Sequence, residues 1–319
     1  IDYLPEKLGK RVLTTGGHFG YLKIAEGCDK HCTYCIIPKL RGKFRSVPME
    51  RLIEQAKEMA EEGVKELILV AQETTVYGTD IYGKKSLHVL LKELCKIKGI
   101  RWIRVLYCYP EEIYDELIQT MKEEKKICHY LDLPIQHASD RILKRMGRRT
   151  TQAELVAIVN KLRQEIPDIV LRTTLISGFP GETQEDHEEL MGFVDEMEFD
   201  RLGVFTYSAE EDTPAATMPD QVPEEVKEER RDEIMELQQA ISYDKGTDRI
   251  GQELLVMIEG KVADESAYIG RTYGDAPKVD GYIFVQTGEL LMTGDFAKVR
   301  VTGALEYDLI GELADEYTE

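Results

Sequence analysis

The feature that most limits the fold is a switch of apolar period that recurs six times between residues 21 and 249. Alternating or continuous apolar runs predict strands over 21–26, 64–71, 101–107, 127–133, 169–176 and 201–207. Helical periods fall between and after them, over 49–62, 86–98, 111–123, 139–146, 151–165, 185–197 and 224–249. The helix over 49–62 places Leu52, Ile53, Ala56, Met59 and Ala60 on one face, and Gly63 stops it. Six strand–helix units in succession imply an α/β chain with a parallel sheet and its helices outside. Spacing alone leaves a partial (βα)6 TIM-like barrel and a doubly wound sheet both open. In either, the working face is the carboxyl end of the strands. The chemistry-bearing residues gather there. Three cysteines follow the first strand and Gln72, Glu73, Thr74 and Thr75 the second. Gln136 and His137 follow the fourth, Gly178 to Glu182 the fifth, and Ser208 the sixth.

The pattern changes at Gly251. Short alternating segments punctuated by glycine predict a small antiparallel β-barrel over 251–319. Residues 21–250 then form the larger domain, and 1–20 read as a linker. The chain starts at Ile1 and not at Met, which reads as a trimmed longer protein. No run of 18 apolar residues predicts a membrane span. The 60 acids against 41 bases give a net charge of −19, which disfavours direct RNA or DNA binding and favours a basic partner.

Cys28, Cys32 and Cys35 stand in the spacing C-x3-C-x2-C, while Cys95, Cys108 and Cys128 are scattered. This is no disulfide framework, and it fits a reducing cytoplasm. Thiolates bind soft metals and iron–sulfur clusters. Structural zinc sites take four ligands, often as two pairs, and no second pair follows. Three thiolates on a four-iron cube leave one iron open for a substrate. The scattered cysteines read as small buried hydrophobes, Cys108 being the one near a strand end.

This motif, with Tyr34 just before the last cysteine and after the first strand of six βα units, resembles the radical S-adenosylmethionine superfamily. The resemblance implies the partial (βα)6 barrel. It also implies one 4Fe–4S cluster on Cys28, Cys32 and Cys35, and S-adenosylmethionine chelated to the open iron and cleaved reductively. By position it implies that Tyr34 packs on the adenine side. Gln72 and Glu73 meet the methionyl amino group, and Gly178 lies beside the adenine. Arg149 and Arg172 hold the carboxylate.

The segments GCDKHCTYCIIPKLRGKFRS, LPIQHASDRILKRMGRR and SGFPGET resemble the methylthiotransferases, whose C-terminal β-barrel is called TRAM. Complete members have an N-terminal domain with three more cysteines and a second 4Fe–4S cluster. Without it, this chain is expected to be limited to reductive cleavage of S-adenosylmethionine. The resemblance implies a flavodoxin or ferredoxin as electron donor. One branch of the family modifies an adenosine of transfer RNA. The other modifies the β-carbon of an aspartate in the small-subunit ribosomal protein S-twelve. Residues 252–319 carry 14 acids and 5 bases, net −9, which repels phosphate and suits a basic ribosomal protein. The text GRTYGDAPKVDGYIFV also resembles the second branch. The competing readings are the transfer-RNA enzyme, a non-enzymatic iron–sulfur electron carrier and a zinc-binding adaptor.

Overall fold

The computed structural model describes residues 16–314. Six strands form one parallel sheet: β1 (Phe19–Lys23), β2 (Glu66–Val70), β3 (Trp102–Val105), β4 (Ile127–Asp132), β5 (Val170–Ser177) and β6 (Arg201–Thr206). They lie side by side in sequence order, and β1 pairs with β2 but not with β6. The sheet is therefore the open (βα)6 form. Helices α1 (Met49–Glu61), α2 (Leu87–Cys95), α3 (Asp115–Glu123), α4 (Gln152–Glu165), α5 (Gln184–Met197) and α6 (Glu224–Thr247) follow the successive strands. Their apolar faces, such as Leu52, Ala56 and Met59 of α1, pack on outward-facing Leu67, Leu69, Ile103 and Leu171 in one core. Thr151 opens α4 with a capping box: its side chain accepts from Glu154 N, and Glu154 accepts from Thr151 N. Among the described residues no helix is long and apolar enough to cross a membrane.

Most element bounds fall within two or three residues of those expected. Residues 1–15 of the expected linker lie outside the described residues, and its last residues already belong to β1. The helix expected over 111–123 divides into a 3-10 turn, Pro110–Glu112, and α3. Tyr114 breaks it with an extended backbone, and its hydroxyl is taken by His88 Nδ1 at 3.0 Å.

The second unit is a closed barrel of β7 (Glu253–Lys261), β8 (Ala267–Thr272), β9 (Ile283–Gln286), β10 (Phe296–Ala304) and β11 (Leu309–Leu313). It departs from the expected all-antiparallel pattern, because β9 pairs parallel to β11. The chain crosses over through β10 before returning, so β9 and β11 run the same way.

This barrel closes the amino end of the sheet. Phe19, Trp102 and Val170, the first residues of their strands, pack with Met257, Ala276 and Phe296. Beside them lies a fully buried ionic cluster. Glu66, first in β2, accepts from Arg104 Nε at 2.8 Å and from Arg271 Nη2 at 2.6 Å. Arg271 also donates to Glu259 and to the Asp275 carbonyl. The opposite, carboxyl end of the strands stays clear of the barrel, and there the cysteine loop lies.

Candidate functional site

The loop from Cys28 to Cys35 is held by main-chain bonds on all sides. Gly27 turns into it with φ +83°, and a Cβ there would lie 2.2 Å from the Lys43 carbonyl oxygen. Only glycine admits both the conformation and the approach. Cys28 N donates to Gly42 O at 3.2 Å, Thr33 N to Met146 O at 2.9 Å, and Ala215 N to Thr33 O at 2.9 Å. Gly147, with φ +74°, brings the helix end to the His31 carbonyl. His31 itself is exposed, and its side chain does not turn into the loop.

Cys28 and Cys32 are buried and Cys35 is half-buried. Burial pushes the Cys28 thiol up to about 11, with Glu73 and the other two thiols adding to the effect. Burial raises Cys35 as well, with Cys32 contributing. Such thiols stay protonated until a cation draws the protons off, which couples ligation to proton release. Among the described residues no three His, Cys, Asp or Glu side chains converge on one metal ion. A single zinc needs all its thiolates within about 2.3 Å. Three soft donors on one loop fall short of the four ligands that a structural zinc takes.

Around the loop, several buried polar groups are left with bonding capacity. Glu73 is 1% exposed. One of its oxygens accepts from Thr75 N at 2.9 Å, and the other has no hydrogen-bond partner among the described residues. Burial pushes its carboxyl up to about 7. Arg148 is 6% exposed. It pairs with Glu111 through Nη2 at 3.2 Å, and its guanidinium lies 4.3 Å from the Tyr109 ring centre. Its Nε and Nη1 have no partner among the described residues. The Tyr109 hydroxyl lies 3.4 Å from Cys32 Sγ. Lys30 pairs with Glu112. Tyr34 packs edge-on to Phe179, and Phe179 edge-on to Tyr207, in an apolar cluster with Ile142 and Met146.

The expected site residues divide accordingly. The three cysteines, Tyr34 and Glu73 come together. Gln72 is at the site, but its side-chain carbonyl accepts from Gly27 N at 2.8 Å, so it braces the loop. Gly178, at φ +69°, abuts the Lys227 stem, where a Cβ would come within 2.2 Å. Its visible duty is strand–helix packing, and its neighbour Phe179 joins the aromatic wall. Arg149 is exposed and lines an outer groove with Glu111, Glu154 and Lys161. Its neighbour Arg148 is the one turned inward. Arg172 is consumed at the barrel junction by Asp132 at 2.7 Å and Asp280 at 3.3 Å, far along β5 from the cysteine end. Cys108 is fully buried against Thr74, and Cys128 is buried near the barrel. Cys95 packs against the main core. Sequence reasoning missed Arg148 and Tyr109, and it marked Phe179 only as part of the 178–182 segment. The only signals for them were the RR pair, an aromatic after the third strand and the FPG turn.

Comparison with known proteins agrees with this geometry. Residues 22–194 match the model of the Radical SAM superfamily, and residues 250–314 match the TRAM domain. The chain is 66% identical over 311 residues to the ribosomal protein uS12 methylthiotransferase RimO of Lachnoclostridium phytofermentans, covering 98% of this chain and 71% of that one. The chain belongs to the RimO family of radical S-adenosylmethionine enzymes. A Clostridium perfringens member is 56% identical over 308 residues, covering 97% of this chain and 68% of its own. Outside the RimO family, the fold resembles the radical S-adenosylmethionine methyltransferase TsrM from Kitasatospora setae. The TM-score is 0.52 at 15% identity, over 62% of this chain and 38% of that one. Membership makes a 4Fe–4S cluster and S-adenosylmethionine the cofactors of this chain.

Proposed function

We propose that the chain carries the radical chemistry of a methylthiotransferase that modifies the β-carbon of an aspartate in ribosomal protein uS12. The carrying observation is the buried thiol loop at the carboxyl end of the sheet, beside a half-satisfied Glu73 and a half-satisfied Arg148. The cluster with its bound S-adenosylmethionine supplies the reductive C–S cleavage that starts hydrogen abstraction. The chain's residues supply the rest. Cys28, Cys32 and Cys35 hold three irons. The free oxygen of Glu73 takes the methionyl ammonium, which lowers its raised pKa and keeps it ionised. The unpartnered Nη1 of Arg148 would donate to the carboxylate in a single charge-assisted hydrogen bond. Tyr34 and Phe179 offer an apolar wall to the adenine. The substrate assignment draws on the uS12 relatives and on the acidic barrel, which suits a basic protein. A flavodoxin or ferredoxin in the cytoplasm is the reductant we assign.

The test is anaerobic reconstitution with iron and sulfide, reduction, and addition of S-adenosylmethionine with a uS12 peptide holding the aspartate. Formation of 5′-deoxyadenosine that disappears in Cys28→Ala, with hydrogen lost from that aspartate β-carbon, supports the reading. Four bound irons with no 5′-deoxyadenosine would point to an electron carrier. Turnover stimulated by transfer RNA and not by uS12 would sink the substrate assignment.

A further inference from the structure

We propose that Tyr109 is a positioning residue that donates a hydrogen bond to the Cys32 thiolate and raises the reduction potential of the cluster. The inference rests on the reading above, in which Cys32 is a cluster ligand. The phenol oxygen lies 3.4 Å from Cys32 Sγ, within hydrogen-bond reach of a sulfur. A metal-bound thiolate carries no proton, so in the loaded protein the hydroxyl must be the donor. Two cations lie over the same ring. The Arg148 guanidinium is 4.3 Å from its centre and the Lys30 ammonium 5.2 Å. Each is itself fixed by a carboxylate, Arg148 by Glu111 and Lys30 by Glu112. Cations over a ring draw on its π density and strengthen the phenol as a donor. They also lock the ring, which stands just before the Pro110–Glu112 turn at the end of β3.

The electrostatic consequence follows. Reduction adds negative charge to the cluster, and hydrogen bonds to its sulfurs favour the more negative state. Cys28 Sγ already accepts from Lys30 N at 3.4 Å, a main-chain bond that side-chain substitution leaves in place. The Tyr109 bond is removable by one oxygen atom.

The test is Tyr109→Phe, which keeps the ring and both cations. Wild type and variant are reconstituted with iron and sulfide. Each is then titrated with dithionite against mediator dyes, without S-adenosylmethionine, and the reduced cluster is read by electron paramagnetic resonance. The expected result is unchanged iron and sulfide content, with about tenfold less reduced cluster at a fixed potential, a downward shift of about 59 mV for one electron. An unchanged midpoint with the cluster intact overturns the proposal. Loss of the cluster in Tyr109→Phe overturns it too, because the residue would then serve assembly. A wild type that binds no iron and sulfide would instead defeat the cluster reading itself.

Discussion

Two buried glutamates mark the two ends of the second strand, and they are treated in opposite ways. Glu66, at the barrel end, has both oxygens met by buried arginines. Although burial pushes its carboxyl up, Arg271 and Arg104 hold it below the usual carboxylate range. Glu73, three residues beyond the other end, has one oxygen on Thr75 N and the other without a partner among the described residues. Burial therefore wins and pushes it up to about 7. A closed set of charges fastens one unit to another. A set left half open keeps its unmet capacity for a molecule that arrives later.

The largest expected effect comes from breaking the closed end. Glu66→Ala strips two fully buried arginines of their shared counter-charge and should cost about 3–5 kcal/mol in urea unfolding. A loss below about 1 kcal/mol would erase the contrast between the two ends. Glu73→Gln should leave the ligand-free protein at least as stable, yet weaken S-adenosylmethionine binding tenfold or more, about 1.4 kcal/mol by anaerobic calorimetry. The two acids should also differ in pH response. The folded pKa of Glu73 lies above its ordinary 4.5, so its stabilising contribution is complete below 4.5 and fades as pH rises toward about 7. Urea midpoints of wild type minus Glu73→Gln should thus fall across that window. The Glu66 contribution is present above 4.5 and fades as acid is added below it, the opposite slope.

Neighbouring arginines sharpen the same point on a smaller scale. Arg148→Met should weaken S-adenosylmethionine binding about tenfold, or about 1.4 kcal/mol, while Arg149→Met leaves it unchanged. Equal effects in the two would mean that the inward guanidinium has no ligand. The smallest change is at a helix cap: Thr151→Ala removes the cap of α4 and should cost about 1 kcal/mol in unfolding, with binding unaffected.

The legible part of the molecule was the local part. Apolar period named each strand and helix because the side chains that bury them lie within a few residues. The cysteine spacing named the ligand loop for the same reason. Arg149 was chosen over Arg148 because nothing local tells two adjacent arginines apart. Gly147 and the loop packed on it decide which one turns inward. Arg172 looked free until the barrel brought Asp280 across more than a hundred residues. Gly178 looked like a ligand cradle until Lys227 arrived from the last helix. Tyr109 meets Cys32 only when the third strand is laid beside the first unit's loop. Long-range packing decided each of these, and periodicity carries no record of it.

The sequence-ordered sheet has a consequence for synthesis. Each strand finds its neighbour as soon as it leaves the ribosome, since each pairs with the one made just before it. Glu66 and Arg104 can therefore meet early, but Arg271 is made more than 160 residues later. Until then, the foot of the nascent sheet keeps an uncovered apolar rim of Phe19, Trp102 and Val170. A barrel made later seals strands made earlier. Nascent chains stalled before residue 250 should be cut readily by protease at that rim, and chains released at full length should resist.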